Sequence, residues 1–185
     1  MDDDSSKKDP VVLMRQAKDG DADAFSRLYE LYFTPVFRYI YLRVRNKDET
    51  DDLIQTVFLK VFQSIGRWQE KKPPLAYFFT IARNTVIDYW RKKKEIKIDD
   101  PEKIFNQIPD DAATPQELLE KADVAKIVRC AIQSLIGEQQ DVIILKFIND
   151  LPNKEIAELL GKTEGAIRQL QCRALKALRE FYKNQ

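Results

Sequence analysis

An all-α protein of two small helical bundles is what this sequence predicts, and three observations predict it. Apolar residues recur at spacings of three and four over most of the chain, and no useful length alternates with the period of two that a half-buried strand requires. The stretch Ile98 to Gln116, IDDPEKIFNQIPDDAATPQ, carries Pro101, Pro109 and Pro115 and sets one basic side chain against five acidic ones. Proline suppresses helix on both sides of itself, so this stretch is an extended acidic linker. The 185 residues then divide into a tail, 1–10, a first bundle, 11–97, the linker, 98–116, and a second bundle, 117–185. Each bundle is small but long enough to bury a working core.

The elements follow in order. Ala24 to Val44 is one long apolar and aromatic pattern containing Phe25, Leu28, Leu31, Tyr32, Val36, Tyr39 and Ile40, which Pro35 is expected to break or kink. A second helix starts near Asp48 or Thr50, either of which can cap it. It repeats apolar residues at Leu53, Ile54, Val57, Phe58, Val61, Phe62 and Ile65. A third starts after Pro73 and Pro74 and runs to about Lys94. Beyond the linker, helices are expected at about 117–135, 138–148, 153–160 and 164–182, the last two separated by Gly161.

Composition removes several classes of chemistry. There is no histidine, the commonest general base and metal ligand, and Cys130 and Cys172 are too few and too far apart for a zinc site. Asp51 and Asp52 do not replace them, since adjacent helical residues point about 100° apart. Neither an enzyme nor a metal or cofactor is expected. No apolar run of about 18 residues and no apolar leader is present, so a cytoplasmic protein is expected, with the two thiols free and buried as small hydrophobes. The net charge of +1 conceals blocks: −2 in the tail, +6 in the first bundle, −4 in the linker and +1 in the second bundle.

The sharpest local signal is PNKEIAELLGKTEGAIRQLQCRALKALR, Pro152 to Arg179. A short helix with proline in its first turn and an apolar side at Ile156, Ala157, Leu159 and Leu160 ends at Gly161, after which Thr163 can cap a longer helix. That is a helix-turn-helix, whose second helix enters the DNA major groove. Ile167, Leu170, Ala174 and Leu178 make its inward stripe, leaving Glu164, Arg168, Gln169, Arg173 and Lys176 outside. Arginine can pair with guanine and glutamine with adenine. A plain amphipathic helix pair with a solvated side is the blander alternative.

In LAYFFTIARNTVIDYWRKKK, Leu75, Phe78, Phe79, Ala82, Val86 and Tyr89 fall on one side. Tyr77, Thr80, Arg83, Asn84, Asp88 and Arg91 fall on the other, followed by Lys92, Lys93 and Lys94. Cations at a helix C-terminus also fit the macrodipole alone, but aromatics beside a basic strip are what single-stranded nucleic acid requires. Trp68, Trp90 and Tyr77 are the candidate rings, each taken singly expected in the core. On the second helix Leu59 sits among Asp52, Gln55, Thr56 and Gln63. The pattern alone fits accident and a partner-helix contact equally.

DDLIQTVFLKVF at Asp51 to Phe62, AYFFTIARNTVIDYWRKKK at Ala76 to Lys94 and the helix-turn-helix, in that order, resemble regions two and four of sigma-70-type RNA polymerase sigma factors, specifically the extracytoplasmic-function group. The resemblance covers roughly residues 11–97 and 117–183. It implies that the first bundle docks on the clamp helices of core RNA polymerase through Asp51, Asp52, Gln55, Phe58 and Leu59. It implies that Tyr77, Arg83, Asn84, Asp88, Arg91, Lys92 and Lys93 read and open the minus-ten element of promoter DNA. Thr163, Glu164, Gly165, Arg168, Gln169, Arg173 and Lys176 would read the minus-thirty-five element, and an anti-sigma factor is an implied partner. The linker is similar to the family segment that threads the polymerase; 19 extended residues at about 3.3 Å each span roughly 60 Å. Two departures stand out. Tyr77 replaces a usual tryptophan, and Leu170, Cys172, Leu175 and Ala177 occupy positions often basic or histidine, so the second bundle is expected to hold DNA weakly alone. A helix-turn-helix regulator that never engages polymerase is the alternative.

Overall fold

The computed structural model describes residues 9–99 and 116–183, with side chains in 9–95 and 125–183. The linker therefore lies outside the described residues except at its ends. Among the described residues there are eight α-helices and no strand: α1 (Pro10–Lys18), α2 (Ala22–Val44), α3 (Lys47–Ser64), α4 (Pro74–Asp99), α5 (Gln116–Gln133), α6 (Gly137–Ile143), α7 (Asn153–Leu160) and α8 (Glu164–Lys183). Two compact units divide the chain between Ile87 and Asp88, within α4, with Glu158–Gly161 assigned to the first.

In the first unit α1 is a helix that the apolar pattern did not announce. Asp9 caps it by accepting from Val11 N–H at 2.8 Å, Pro10 opens it, and Leu13, Met14 and Ala17 are buried. Pro35 does not break α2, which runs unbroken from Ala22 to Val44. Proline in a helix interior costs about 3 kcal/mol. Leu28, Tyr32, Val36, Tyr39 and Ile40 are buried on both sides of it, and at about 1.5–3 kcal/mol for each large side chain their packing outweighs that cost. The carbonyl that proline strands belongs to Leu31, a residue exposed to water.

The cap of α3 is Asn46, which accepts from Glu49 N–H at 2.9 Å, rather than Asp48 or Thr50. Thr50 is fully buried one turn in, and its hydroxyl donates to the Asn46 carbonyl at 2.6 Å. Ile54, Val57, Phe58 and Val61 are the buried side of α3, and Phe78, Phe79, Ala82, Thr85 and Val86 that of α4. Rings join these helices: Phe58 lies 4.5 Å from Tyr29 and 5.5 Å from Phe78, and Tyr39 lies 5.6 Å from Phe79. At its far end α4 continues to Asp99, past the expected stop at Lys94.

In the second unit the predicted helix 138–148 is two conformations in series: α6, then a π turn at Ile144–Ile148. Asn149 closes the turn, its backbone N–H and its side-chain amide both donating to the Ile144 carbonyl, at 3.1 and 3.2 Å. Val142, Ile144, Leu145, Leu151, Ile156, Ile167 and Ala174 form the core here.

One exposed pair crosses the first unit. Arg15 on α1 grips Glu70 through two hydrogen bonds, 2.6 and 2.9 Å. Those bonds, and then the charge of Arg15, hold the Glu70 carboxyl below the usual carboxylate range. A carboxylate depressed in the folded state stabilises above its unfolded value, about 4.3, and loses that contribution as pH falls through the folded one. Thermal melts from neutral to acid are therefore expected to show Glu70→Gln slightly less stable at neutral pH. The gap to the parent should close on acidification, and only modestly, because the pair is solvent-screened.

Candidate functional site

Three helical faces carry the candidate residues. On α3, with Phe58 turned inward, the 100° period turns Asp52, Gln55, Leu59, Phe62 and Gln63 outward. Leu59 is 57% exposed and Phe62 55% exposed. Phe62, one of the apolar residues of the repeat, lies at the edge of the buried side, its ring meeting Phe25 edge-on at 5.1 Å. Phe58, expected among the polymerase-contacting residues, is 5% exposed and packs beneath the outward side. Asp51 is half-buried beside it.

On α4, Asn84, Arg91 and Lys92 are exposed, while Tyr77, Arg83, Asp88 and Lys93 are half-buried. The Tyr77 hydroxyl donates to the Ser64 carbonyl at 2.6 Å, so the ring is anchored to the end of α3. Arg91 pairs with Asp88 at 3.1 Å. Lys93 is turned onto its own helix, donating to the Tyr89 hydroxyl at 2.6 Å. Of the candidate rings, Trp68 is core, with its indole N–H donating to the Lys72 carbonyl at 3.0 Å, whereas Trp90 is exposed.

Beside Asn84 the first unit has an open cavity of about 340 Å³, lined by Lys60, Gln63, Ser64, Arg67, Ile81 and Thr85. Lys60 donates to the Thr85 hydroxyl at 3.2 Å. Two cations, two amides and two hydroxyls with no acid line this open hollow, the Ser64 hydroxyl donating to the Lys60 carbonyl at 2.6 Å. Lys60 and Arg67 were not singled out from the sequence, and Gln63 was read only as part of the polar side that frames Leu59. Only the packing of α3 on α4 brings them to Asn84, and no local pattern announces it.

On α8, Thr163, Glu164, Gly165, Arg168, Gln169, Arg173 and Lys176 are all exposed, with Ile167 and Ala174 buried and Leu170 and Leu178 half-buried. Gly161 takes φ +63°, a conformation glycine adopts freely, at the end of α7. The Thr163 hydroxyl then caps α8 by accepting from Ala166 N–H at 3.2 Å. Gln171 donates to Asn153 Oδ1 at 2.8 Å, tying α8 to the first turn of α7. Arg168 lies 3.6 Å from Glu164. Cys130 and Cys172 are free, as expected, but exposed rather than buried, a correction: Cys172 sits about 140° round α8 from buried Ile167.

Among the described residues, a cationic helix beside a polar cavity and a capped helix-turn-helix with basic and amide side chains outward form an arrangement suited to nucleic acid. The family model for sigma-70 region 2 matches residues 28–96 and that for sigma-70 region 4 matches residues 125–178. The ECF RNA polymerase sigma factor BldN of Streptomyces coelicolor is 34% identical over 178 residues, 95% of this chain and 66% of that protein. SigX of Bacillus subtilis, another ECF sigma factor, is 27% identical over 85% of this chain and 83% of its own length. Among solved structures, CnrH, determined in complex with the cytosolic domain of CnrY, superposes with a TM-score of 0.74 at 19% identity, covering 95% of this chain and 97% of its own. This last likeness concerns the fold. The chain belongs to the sigma-70 family of RNA polymerase sigma factors, in its extracytoplasmic-function group, and is a transcription-initiation factor rather than an enzyme.

The contrast in burial between neighbouring Phe58 and Leu59 is directly testable. Phe58→Ala is expected to destabilise the fold by about 3–5 kcal/mol in denaturant melts. Leu59→Ala should stay within about 1 kcal/mol of the parent, because its side chain is already in water.

Proposed function

We infer that this chain directs core RNA polymerase to specific promoters and assists strand separation there, binding energy alone driving the step. The observation that carries the reading is the coexistence of both family regions in one chain. A stand-alone helix-turn-helix regulator needs only the second, and leaves the region 2 match at 28–96 without a purpose. Residues 11–97 serve as region two, 117–185 as region four, 98–116 as the linker and 1–10 as a tail.

The outward strip of Asp52, Gln55 and Leu59, with half-buried Asp51 at its edge, is the proposed seat for the polymerase clamp helices, and exposed Phe62 joins it. An apolar pair framed by polar side chains suits helix-on-helix docking. Phe58 acts from beneath. The outward side of α4, from Tyr77 and Arg83 through Asn84 and Asp88 to Arg91, Lys92 and Lys93, takes the minus-ten element, and the cavity at Asn84 is wide and polar enough to hold an unpaired base. The exposed strip of α8, Thr163 to Lys176, reads the minus-thirty-five element, Arg168 and Gln169 toward base edges and Arg173 and Lys176 toward phosphate. An anti-sigma factor covering the α3 strip would silence the protein by competing with polymerase. Among the described residues no helix is long and apolar enough to cross a membrane, and we place the protein in the cytoplasm with its polymerase.

Run-off transcription with purified core polymerase tests the reading. The expected outcome is promoter-specific transcript; none above the core-only background, on promoters the chain binds, would sink it. Leu59→Asp and Gln55→Ala should weaken capture of core enzyme while leaving helicity unchanged by circular dichroism. Arg168→Ala should cost about 1–3 kcal/mol on the preferred minus-thirty-five sequence and relax choice at one base pair; equal loss on every sequence would confine Arg168 to phosphate.

A further inference from the structure

Gln171 of α8 and Asn153 of α7 meet as an amide pair. Gln171 Nε2 donates to Asn153 Oδ1 at 2.8 Å, and on the return side Asn153 Nδ2 lies 3.5 Å from Gln171 Oε1. Both side chains are half-buried. Around α8, Gln171 lies about 40° from buried Ile167 but about 160° from outward Gln169, so these two glutamines have different tasks. Asn153 is the first of the eight residues of α7, and Gln171 is the eighth residue of α8. At 1.5 Å per residue the pair therefore bridges the two helices about 10 Å from the turn that joins them.

The turn end is fixed separately. Lys162 N–H donates to the Ala157 carbonyl at 2.9 Å, and Lys162 Nζ reaches Glu138 of α6 at 3.0 Å. Between the turn and the amide pair the buried side chains, Ile156 and Ala157 of α7 and Ile167 of α8, are apolar, and apolar packing is non-directional. A hydrogen bond has direction and a short reach. It has lapsed by about 3.6 Å, and stretching that far from 2.8 Å at a lever of about 10 Å is a swing of only about 5°. That is tighter than the roughly 10–20° a binding constellation tolerates. In a helix-turn-helix the first helix crosses the DNA backbone while the second enters the groove, so the angle between them decides where the second points. We propose that Asn153 and Gln171 are positioning residues, whose pair fixes the angle between α7 and α8 and so aims Arg168 and Gln169 at the base edges of the minus-thirty-five element. Neither amide touches a base. The proposal rests on the sigma-factor reading of α8.

The test uses the full chain with core polymerase. Run-off transcription is compared between the preferred promoter and variants carrying one substituted base pair in the minus-thirty-five element, and the thermal midpoint of each protein is measured alongside. Arg168→Ala and Gln169→Ala mark the base pairs those side chains read. Gln171→Leu and Asn153→Ala are each expected to lower discrimination about fivefold or more, at both marked base pairs at once, with the midpoint close to that of the parent. The double variant should lose no more than either single one, because both changes remove the same bond. Relaxation confined to one base pair would make Gln171 a direct reader and overturn the proposal. So would unchanged discrimination, losses that add in the double variant, or a fall equal on every sequence that tracks a lowered midpoint. A parent that gives no promoter-specific transcript defeats the sigma-factor reading and the proposal with it; a selective parent beside equally selective variants defeats the proposal alone.

Discussion

The first unit turns on the seat of one ring. Phe58 packs against Tyr29 and Phe33 of α2 and Phe78 of α4, and this three-helix junction sets the rotational phase of α3. Burying a phenylalanine is worth about 1.5–3 kcal/mol, and Ile54, Val57 and Val61 are buried in the same phase. Rotating α3 by one residue to hide Leu59 would expose that set. The exposure of Leu59 and Phe62 is therefore imposed by the core, and the packed side makes the opposite side a rigid, preformed strip. A docking helix then meets side chains whose backbone is already fixed, which limits the ordering cost of association.

The same phase governs α4. Phe78, Phe79, Ala82 and Val86 bind it to the first unit, while Tyr77 to Ser64 and Lys60 to Thr85 lock its register against α3. The cavity at Asn84 is a by-product of that register, so its polar lining comes from two helices at once. Substitutions in the core under either helix would displace the proposed DNA-facing side chains as well as cost stability, since a binding constellation tolerates little misplacement.

What could be read in advance was whatever local chemistry dictates. The helix-turn-helix was legible because Gly161, Thr163 and the inward stripe at Ile167 and Ala174 each carry their own signal, and α7 and α8 fall within a residue of the expected bounds. Asp9 followed by Pro10 was an equally local start signal for α1, but a nine-residue helix shows too few apolar turns to stand out. The rest depended on tertiary context. Pro35 is tolerated because distant residues bury both halves of α2. The π turn depends on Asn149 reaching back to Ile144. The outward place of Phe62 and the inward place of Phe58 differ by only about 40° around α3, a margin decided by which rings α2 and α4 bring against it.

The two candidate DNA helices share a device that bears on selectivity. On α4 Asp88 holds Arg91, and on α8 Glu164 holds Arg168, each acid one turn ahead of its arginine. Such exposed pairs add little stability. On helices proposed to read DNA, their effect would be on DNA. A carboxylate beside each guanidinium repels phosphate and cancels its cation, so each pair removes about one unit from the counterion release that drives non-specific binding. A guanine edge, by contrast, offers acceptors without charge, and an arginine already extended by its acid loses less freedom in reaching it. With a net charge of only +1 across residues 117–185, the second bundle would have little non-specific affinity to discard. A second bundle that grips few phosphates, as proposed, would leave most of the task of holding DNA to the more basic first segment, +6 across residues 11–97, and to the polymerase it is proposed to bind.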